Sequence, residues 1–287
     1  MASSAVSPAR LSHAAAFPPV RTSRQGRAPG ASATLPQRSS RLGNSAGVTA
    51  RASMRAKAQS GDAMGVEIAD VSTADANLLP ALAVFDLDAC LWDQEMFELS
   101  EVVDTANPIM GPLGDAGEGV VGARSGREVI RLHPGALFAL QRFHAGQYPG
   151  MRAAAASSAD TPKAERIGRS ALDLLEVVPG VTVRQVLGAG WPEGFGGNLQ
   201  IGRQPPLSSN KAATHFPRLR SFTGIPYDRM LFFDDCNWGD HCGAVSAGCV
   251  EEESRLGPVT VRTPRGLMPA DWENGLKLYS ERMQGRY

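Results

Sequence analysis

The chain has 287 residues and a formally balanced charge, 29 basic against 29 acidic side chains, enough for one large domain or two small ones. The balance hides an asymmetry: residues 1–61 carry eight Arg, one Lys and no acid. Without residues 1–50 the chain holds 23 basic against 29 acidic residues, a net charge of −6, which argues against binding to nucleic acid or an anionic membrane; no run of 18 apolar residues occurs that could span a bilayer.

Residues 1–50 are rich in Ala, Ser, Pro, Gly and Arg and poor in large apolar residues. Such a composition cannot bury enough surface to fold, and its acid-free, Arg/Ser-rich character is that of an organellar transit peptide. A tail that binds an acidic partner is the competing reading. Val48, Thr49 and Ala50 are similar to the V-x-A processing site of algal plastid precursors. Chloroplast is therefore the expected address, with mitochondrion as the alternative. Residues 51–78 read as a linker and 79–287 as the folded domain.

From Leu79 onward, apolar strand-like runs alternate with amphipathic helical stretches, the pattern of a doubly wound, Rossmann-like parallel sheet. The run Leu82 to Phe85 leads into Asp86 and Asp88. A continuous apolar run of this length suits a strand buried on both faces. The i, i+2 spacing points both carboxylates the same way at its C-terminal end. Residues 93–131, with Val/Ile runs at 119–121 and 127–130, are too few for a second α/β domain and suggest a short hairpin flap with no large cap. Pro134 fits the first turn of a helix through His144. A small-residue strand over 151–156 ends at Ser157 and Ser158. Asp160, Thr161 and Pro162 cap a helix through Leu175. A strand is expected over 181–187, a structureless loop over 188–206, and a helix capped by Ser208, Ser209 and Asn210 that carries Lys211, His215 and Phe216. A buried strand over 230–233 runs into Asp234 and Asp235, and a last strand at 259–261 precedes a helix over 272–283. The four cysteines (90, 236, 242, 249) form no C-x-x-C pair. Cys236, Asp240, His241 and Cys242 lie close together but match no common zinc spacing, so buried thiols are expected.

Four groups thus fall at strand ends or a helix start: Asp86 with Asp88, Ser157, Lys211, and Asp234 with Asp235. Phosphoryl transfer calls for these parts: an anionic nucleophile, hydroxyl and ammonium groups for the phosphate oxygens, and carboxylates for Mg²⁺. Taken singly, Ser157 reads as a helix cap and Lys211 as a solvated charge. Trp92 and Trp238 each follow an acid pair and would wall the site or pack in the core. His215 reads as a packing or capping residue.

The stretches LAVFDLDACLW (82–92), AAAASS (153–158) and THFPRLRSFTGIPYDRMLFFDD (214–235) resemble the haloacid dehalogenase superfamily, and within it the eukaryotic magnesium-dependent phosphatase (acid phosphatase type, capless) family. The resemblance runs from Leu79 to Val250. It implies an Mg²⁺-dependent phosphomonoesterase that works through an aspartyl-phosphate, on a phosphotyrosine protein or a sugar or fructosamine phosphate. It further implies Asp86 as nucleophile, Asp88 as general acid and base, and Ser157 and Lys211 as phosphate ligands. Asp86, the backbone carbonyl of Asp88, Asp234 and Asp235 would serve the metal. Four features depart from the family pattern: Cys90 stands where Thr is usual, Ser158 where Arg is usual, Lys211 lies one residue before the usual lysine, and Cys-Asn-Trp-Gly-Asp-His-Cys follows Asp235 where Glu and basic residues are usual. No other lysine occurs between Lys163 and Lys277. Two further expectations compete: a catalytically weak or inactive member that acts as a binding scaffold, and a phosphotransferase or a phosphatase of protein substrates.

Overall fold

A computed structural model of the chain describes residues 78–286. The expected transit peptide (1–50) lies outside the described residues, as does the linker apart from Leu78.

Five parallel strands make the central sheet: β1 (Leu82–Phe85), β5 (Arg152–Ser157), β8 (Leu199–Ile201), β9 (Met230–Asp234) and β10 (Val259–Arg262), in the order β10-β9-β1-β5-β8. The chain builds outward from β1 through β5 to β8, then returns to the other side for β9 and β10. This reversal leaves a crevice beyond the strand C-termini beside β1, the place where open α/β sheets bind ligands. Strand alternation divides the core. Ala83, Phe85, Ala153, Ala155, Leu231 and Phe233 face one layer, and Leu82, Val84, Ala154, Ala156, Met230 and Phe232 face the other. Being covered on both sides explains why these strands read as unbroken apolar runs.

On the first face lie α1 (Pro134–His144), α2 (Pro162–Leu174), α3 (Val183–Gly188) and α6 (Pro269–Met283). Trp272 of α6 stacks on Phe85 and lies tilted against Phe233, with ring centroids 5.9 and 5.4 Å away, and its indole N–H donates to the Tyr148 hydroxyl at 2.7 Å. The second face is covered by α4 (His215–Thr223) and α5 (His241–Gly248), through Phe216, Leu219, Cys242 and Val245. Pro134 and Pro162 open their helices, and Thr161 accepts from the Ala164 amide at 3.0 Å, as the sequence indicated.

The flap is larger than a hairpin. Strands β2 (Ile109–Pro112), β3 (Glu118–Ser125) and β4 (Glu128–Ile130) form an antiparallel sheet between β1 and α1 in the chain. The side chain of Val121 comes close to Gly111 within β2: a Cβ there would lie 2.8 Å from Val121 Cγ2. No large cap is present among the described residues, and the expected fold class stands.

The segments 181–187 and 188–206 differ from expectation. Residues 181–187 are not a strand: β7 (Val181–Thr182) is two residues long, pairs with β6 (Glu176–Val178), and gives way to α3. Thr182 caps that helix through a capping box, with Gln185 N donating to Thr182 Oγ1 at 3.3 Å and Thr182 N to Gln185 Oε1 at 2.7 Å. The buried residues Val183, Val186 and Leu187 have helical spacing. The 188–206 segment, in turn, contains β8, whose three residues complete one edge of the sheet by pairing with β5.

Candidate active site

The acid pairs end the two central strands. Asp86 follows β1, and its amide donates to Phe233 O of β9 at 2.9 Å. Asp234 is the last residue of β9. Register sets Phe85 against Phe233 and against Ala155, so Asp86, Asp234 and Ser157 reach the same end of the sheet. Beyond each acid pair the chain turns sharply through a non-glycine residue with positive φ, Ala89 (φ 50°) and Cys236 (φ 56°). Backbone strain of this kind gathers at functional sites.

Lys211 binds the two strand ends together. Its ammonium is buried and lies 2.8 Å from Asp86 Oδ1 and 2.6 Å from Asp234 Oδ2. Lys211 precedes the regular helix: residues 211–214 form a turn, Asn210 Oδ1 accepts from the Ala213 amide at 3.0 Å, and α4 begins only at His215. The one-residue offset therefore falls in a turn, where it does not rotate a side chain around a helix axis. His215 is buried against the sheet edge, where Nε2 donates to the carbonyls of Ser157 and Gly202 at 3.0 and 3.2 Å. It is a packing residue that holds the ends of β5 and β8.

The electrostatics follow from burial. Burial pushes the Asp86 carboxyl well above its ordinary pKa; Lys211 pulls it down, and Asp234 and Asp235 push it up again. For Asp234, burial acts upward too, but Lys211 and the His241 imidazole outweigh it and hold that carboxyl low. Burial would lower the Lys211 pKa, yet Asp86 and Asp234 reverse the effect and keep it charged. Asp88 is raised to about 7, mainly by burial and then by Glu95, against an opposing hydrogen bond from Trp92 Nε1 at 3.1 Å. A carboxyl of that kind exists in both forms near neutral pH.

Asp86, Asp234 and Asp235 can each offer an oxygen within 4.8 Å of the others, the one group of His, Cys, Asp or Glu with metal-holding spacing among the described residues. These three buried carboxylates have one ammonium among them, and it pairs with only two of them, Asp86 and Asp234. The resulting excess of negative charge, and oxygen donors alone, suit a hard divalent cation such as Mg²⁺. The residues fit that ion. Asp88 stands outside this set, and its side chain faces the pocket instead. The four cysteines are buried free thiols and form no zinc cluster. Cys90 has its Sγ 3.3 Å from Thr263 Oγ1, so a hydroxyl from just beyond β10 enters that turn.

A pocket of about 390 Å³ opens over these groups and is lined by Asp86, Asp88, Ser157, Lys211 and Asp235. Five of the six expected site residues thus meet in one cavity. The sixth, Asp234, is fully buried beneath it. Glu95, Phe97, Ser158, Asp160, Arg203, Trp238 and His241 complete the lining. Trp92 does not wall the site; it is buried in the core and reaches Asp88 only through its N–H. Trp238 is exposed at the rim, edge-on to Phe97 with centroids 5.8 Å apart, and donates to Glu95 Oε1 at 2.9 Å. Sequence reasoning missed Glu95, Phe97 and Arg203 as lining residues, since each sits in a loop without periodicity or motif, and it read Asp160 only as part of a helix cap.

The chain is 27% identical over 207 residues to human "Magnesium-dependent phosphatase 1", an alignment covering 72% of this chain and 91% of the relative. Among solved structures, a hypothetical protein from Xanthomonas campestris is 16% identical, covers 78% of this chain and 92% of its own, and superposes with a TM-score of 0.32. The profile of the family described as Acid Phosphatase matches residues 78–282, nearly the whole of the described region. The chain therefore belongs to the acid phosphatase family, the magnesium-dependent phosphatases of haloacid dehalogenase type.

Proposed function

We propose that the chain hydrolyses phosphate monoesters through a covalent aspartyl-phosphate on Asp86. The observation that carries this reading is the pairing of two unlike carboxyls on one pocket: Asp86, buried and ion-paired to Lys211, and Asp88, held near pH 7 two residues on. An Asp86 oxygen attacks phosphorus while the bond to the leaving oxygen breaks, and the Asp88 carboxyl gives its proton to that oxygen. The alcohol leaves, and Asp88 remains as a carboxylate. Water then attacks the phosphorus, Asp88 takes its proton, the bond to Asp86 breaks, and inorganic phosphate departs. Lys211 and Ser157 steady the phosphoryl oxygens in both steps. Asp86, Asp234 and Asp235 would hold Mg²⁺, together with the Asp88 backbone carbonyl that the family resemblance implies, and the ion would supply positive charge that screens a carboxylate from a phosphate dianion.

The substrate is a small phosphorylated metabolite or a phosphorylated side chain of a protein. The open pocket and the lack of a large cap among the described residues are compatible with both. A phosphotyrosine or a fructosamine phosphate is the specific expectation, because the family resemblance carries it. The acid-free composition of residues 1–61 supports a chloroplast address, tested by a fluorescent fusion of residues 1–60; a cytosolic signal sinks it.

Rapid quenching of a labelled turnover, borohydride reduction and peptide mass spectrometry test the mechanism. The reduced trace is expected on the peptide containing Asp86. Asp86→Asn abolishes turnover, and Asp88→Asn retains phosphate binding while losing the proton transfers. A label on Ser157 or a histidine, or full activity in either Asn variant, overturns the mechanism.

A further inference from the structure

The pocket is short of usable positive charge. Its floor contains three carboxylates and the Lys211 ammonium, already shared between Asp86 and Asp234 at 2.8 and 2.6 Å. A bound divalent cation would bring that floor to neutrality and no further. The walls add Asp88, Glu95 and Asp160. His241 turns Nδ1 toward Asp234 at 3.2 Å. A phosphate dianion that enters this cavity meets one uncommitted cation, Arg203, which lines the pocket, is exposed, and makes no ion pair or hydrogen bond among the described residues.

The backbone beneath Arg203 is held firmly. Ser157 and Ile201 are register partners on β5 and β8, and the Gly202 amide donates to Ser157 O at 2.9 Å. His215 Nε2 then ties the carbonyls of Ser157 and Gly202 together. Gly202 has φ 136°, a conformation L side chains rarely adopt, and there the chain leaves the sheet edge toward the pocket. Arg203 thus stands on a fixed base beside the strand end that carries Ser157 and Ser158, with its side chain exposed at the pocket. Guanidinium groups suit this task, since their planar fork can pair two phosphate oxygens at once.

We propose that Arg203 is a substrate-binding residue that closes over the pocket and pairs with the non-bridging oxygens of the phosphoryl group. The assignment deepens the phosphomonoesterase reading, and it supplies from the β8 loop a cation that the strand end at Ser158 does not. Because Arg203 would grip ester and product phosphate alike, its loss weakens binding more than the chemical step.

The test uses Arg203→Gln and Arg203→Lys in the full chain with Mg²⁺ present. Inorganic phosphate affinity is read by titration calorimetry, and KM and kcat with p-nitrophenyl phosphate and with an aliphatic ester. For Arg203→Gln, the phosphate Kd and both KM values are expected to rise roughly tenfold to a hundredfold, as for loss of a charge-assisted contact. The expected kcat stays within a few-fold and Tm is unchanged, with Arg203→Lys in between. Unchanged phosphate affinity in Arg203→Gln overturns the proposal, including the case in which only esters with a second anionic group lose affinity. An inactive wild type would sink the hydrolytic reading alone, and the calorimetric arm would still decide the role of Arg203.

Discussion

Replacing Lys211 with Met keeps much of the side-chain length and removes the ammonium that Asp86 and Asp234 share. Both contacts are short and buried, 2.8 and 2.6 Å, so no water replaces the lost charge. Breaking a buried pair by deleting one partner costs about 3–5 kcal/mol, because the remaining charge is stranded. At about 2–4 °C per kcal/mol for a domain of this size, Tm should fall by roughly 6–20 °C at neutral pH. The loss should shrink in acid, where Asp86 relieves the repulsion by taking a proton. Mg²⁺ should raise the Tm of the variant by more than it raises that of the wild type, and chelation should lower both. The transition state loses a positive contact as well, so kcat should drop by roughly 10²–10³-fold. Differential scanning fluorimetry with and without Mg²⁺, and steady-state assays across pH 5–8, read both effects. A variant that keeps Tm within about 2 °C and kcat within about threefold would refute the role given to this ammonium.

His215 makes a separate prediction for stability against pH. Burial lowers its pKa to about 4, against about 6.5 in the unfolded chain. Between these values the unfolded chain binds a proton that the folded chain refuses, so stability falls as pH drops from 6.5 to 4 and then levels, by about 3 kcal/mol from this group. His215→Gln should flatten that slope in urea titrations; an unchanged slope counts against it. Gly135→Ala should destabilise strongly, because a Cβ would sit 2.6 Å from Leu267 O and collide with the Met268 backbone, where the Gly135 amide donates to Leu267 O at 2.9 Å. A loss under about 1 kcal/mol by denaturant melts would show that α1 can shift away cheaply. Deleting residues 1–70 should leave Tm within a few degrees, and a larger fall in calorimetry would mean that the segment contributes to the domain.

Most of the central sheet was legible because buried parallel strands are uniformly apolar and end in recognisable chemistry. The runs at Leu82, Met230 and Val259, and the acid pairs after the first two, carry that signal locally. Helix starts with Thr161-Pro162 or Pro134 are legible for the same reason, since caps and fixed φ act within one turn. The chain by itself thus determined the fold class, the six candidate residues and the type of ion they suit. Local signal gave out where one pattern serves two structures. Apolar residues at 181, 183, 186 and 187 suit a strand or a short helix, and the Thr182–Gln185 capping box decided for the helix. The three residues of β8 have too little length to declare themselves and become a strand only because β5 offers a free edge. What tertiary structure alone decided is spacing between distant segments: that Lys211, in a turn 23 residues before Asp234, lies between Asp86 and Asp234, and that Arg203 borders the same cavity. Those distances depend on how two separate loops leave two parallel strands, and no residue pattern within either loop encodes the gap between them.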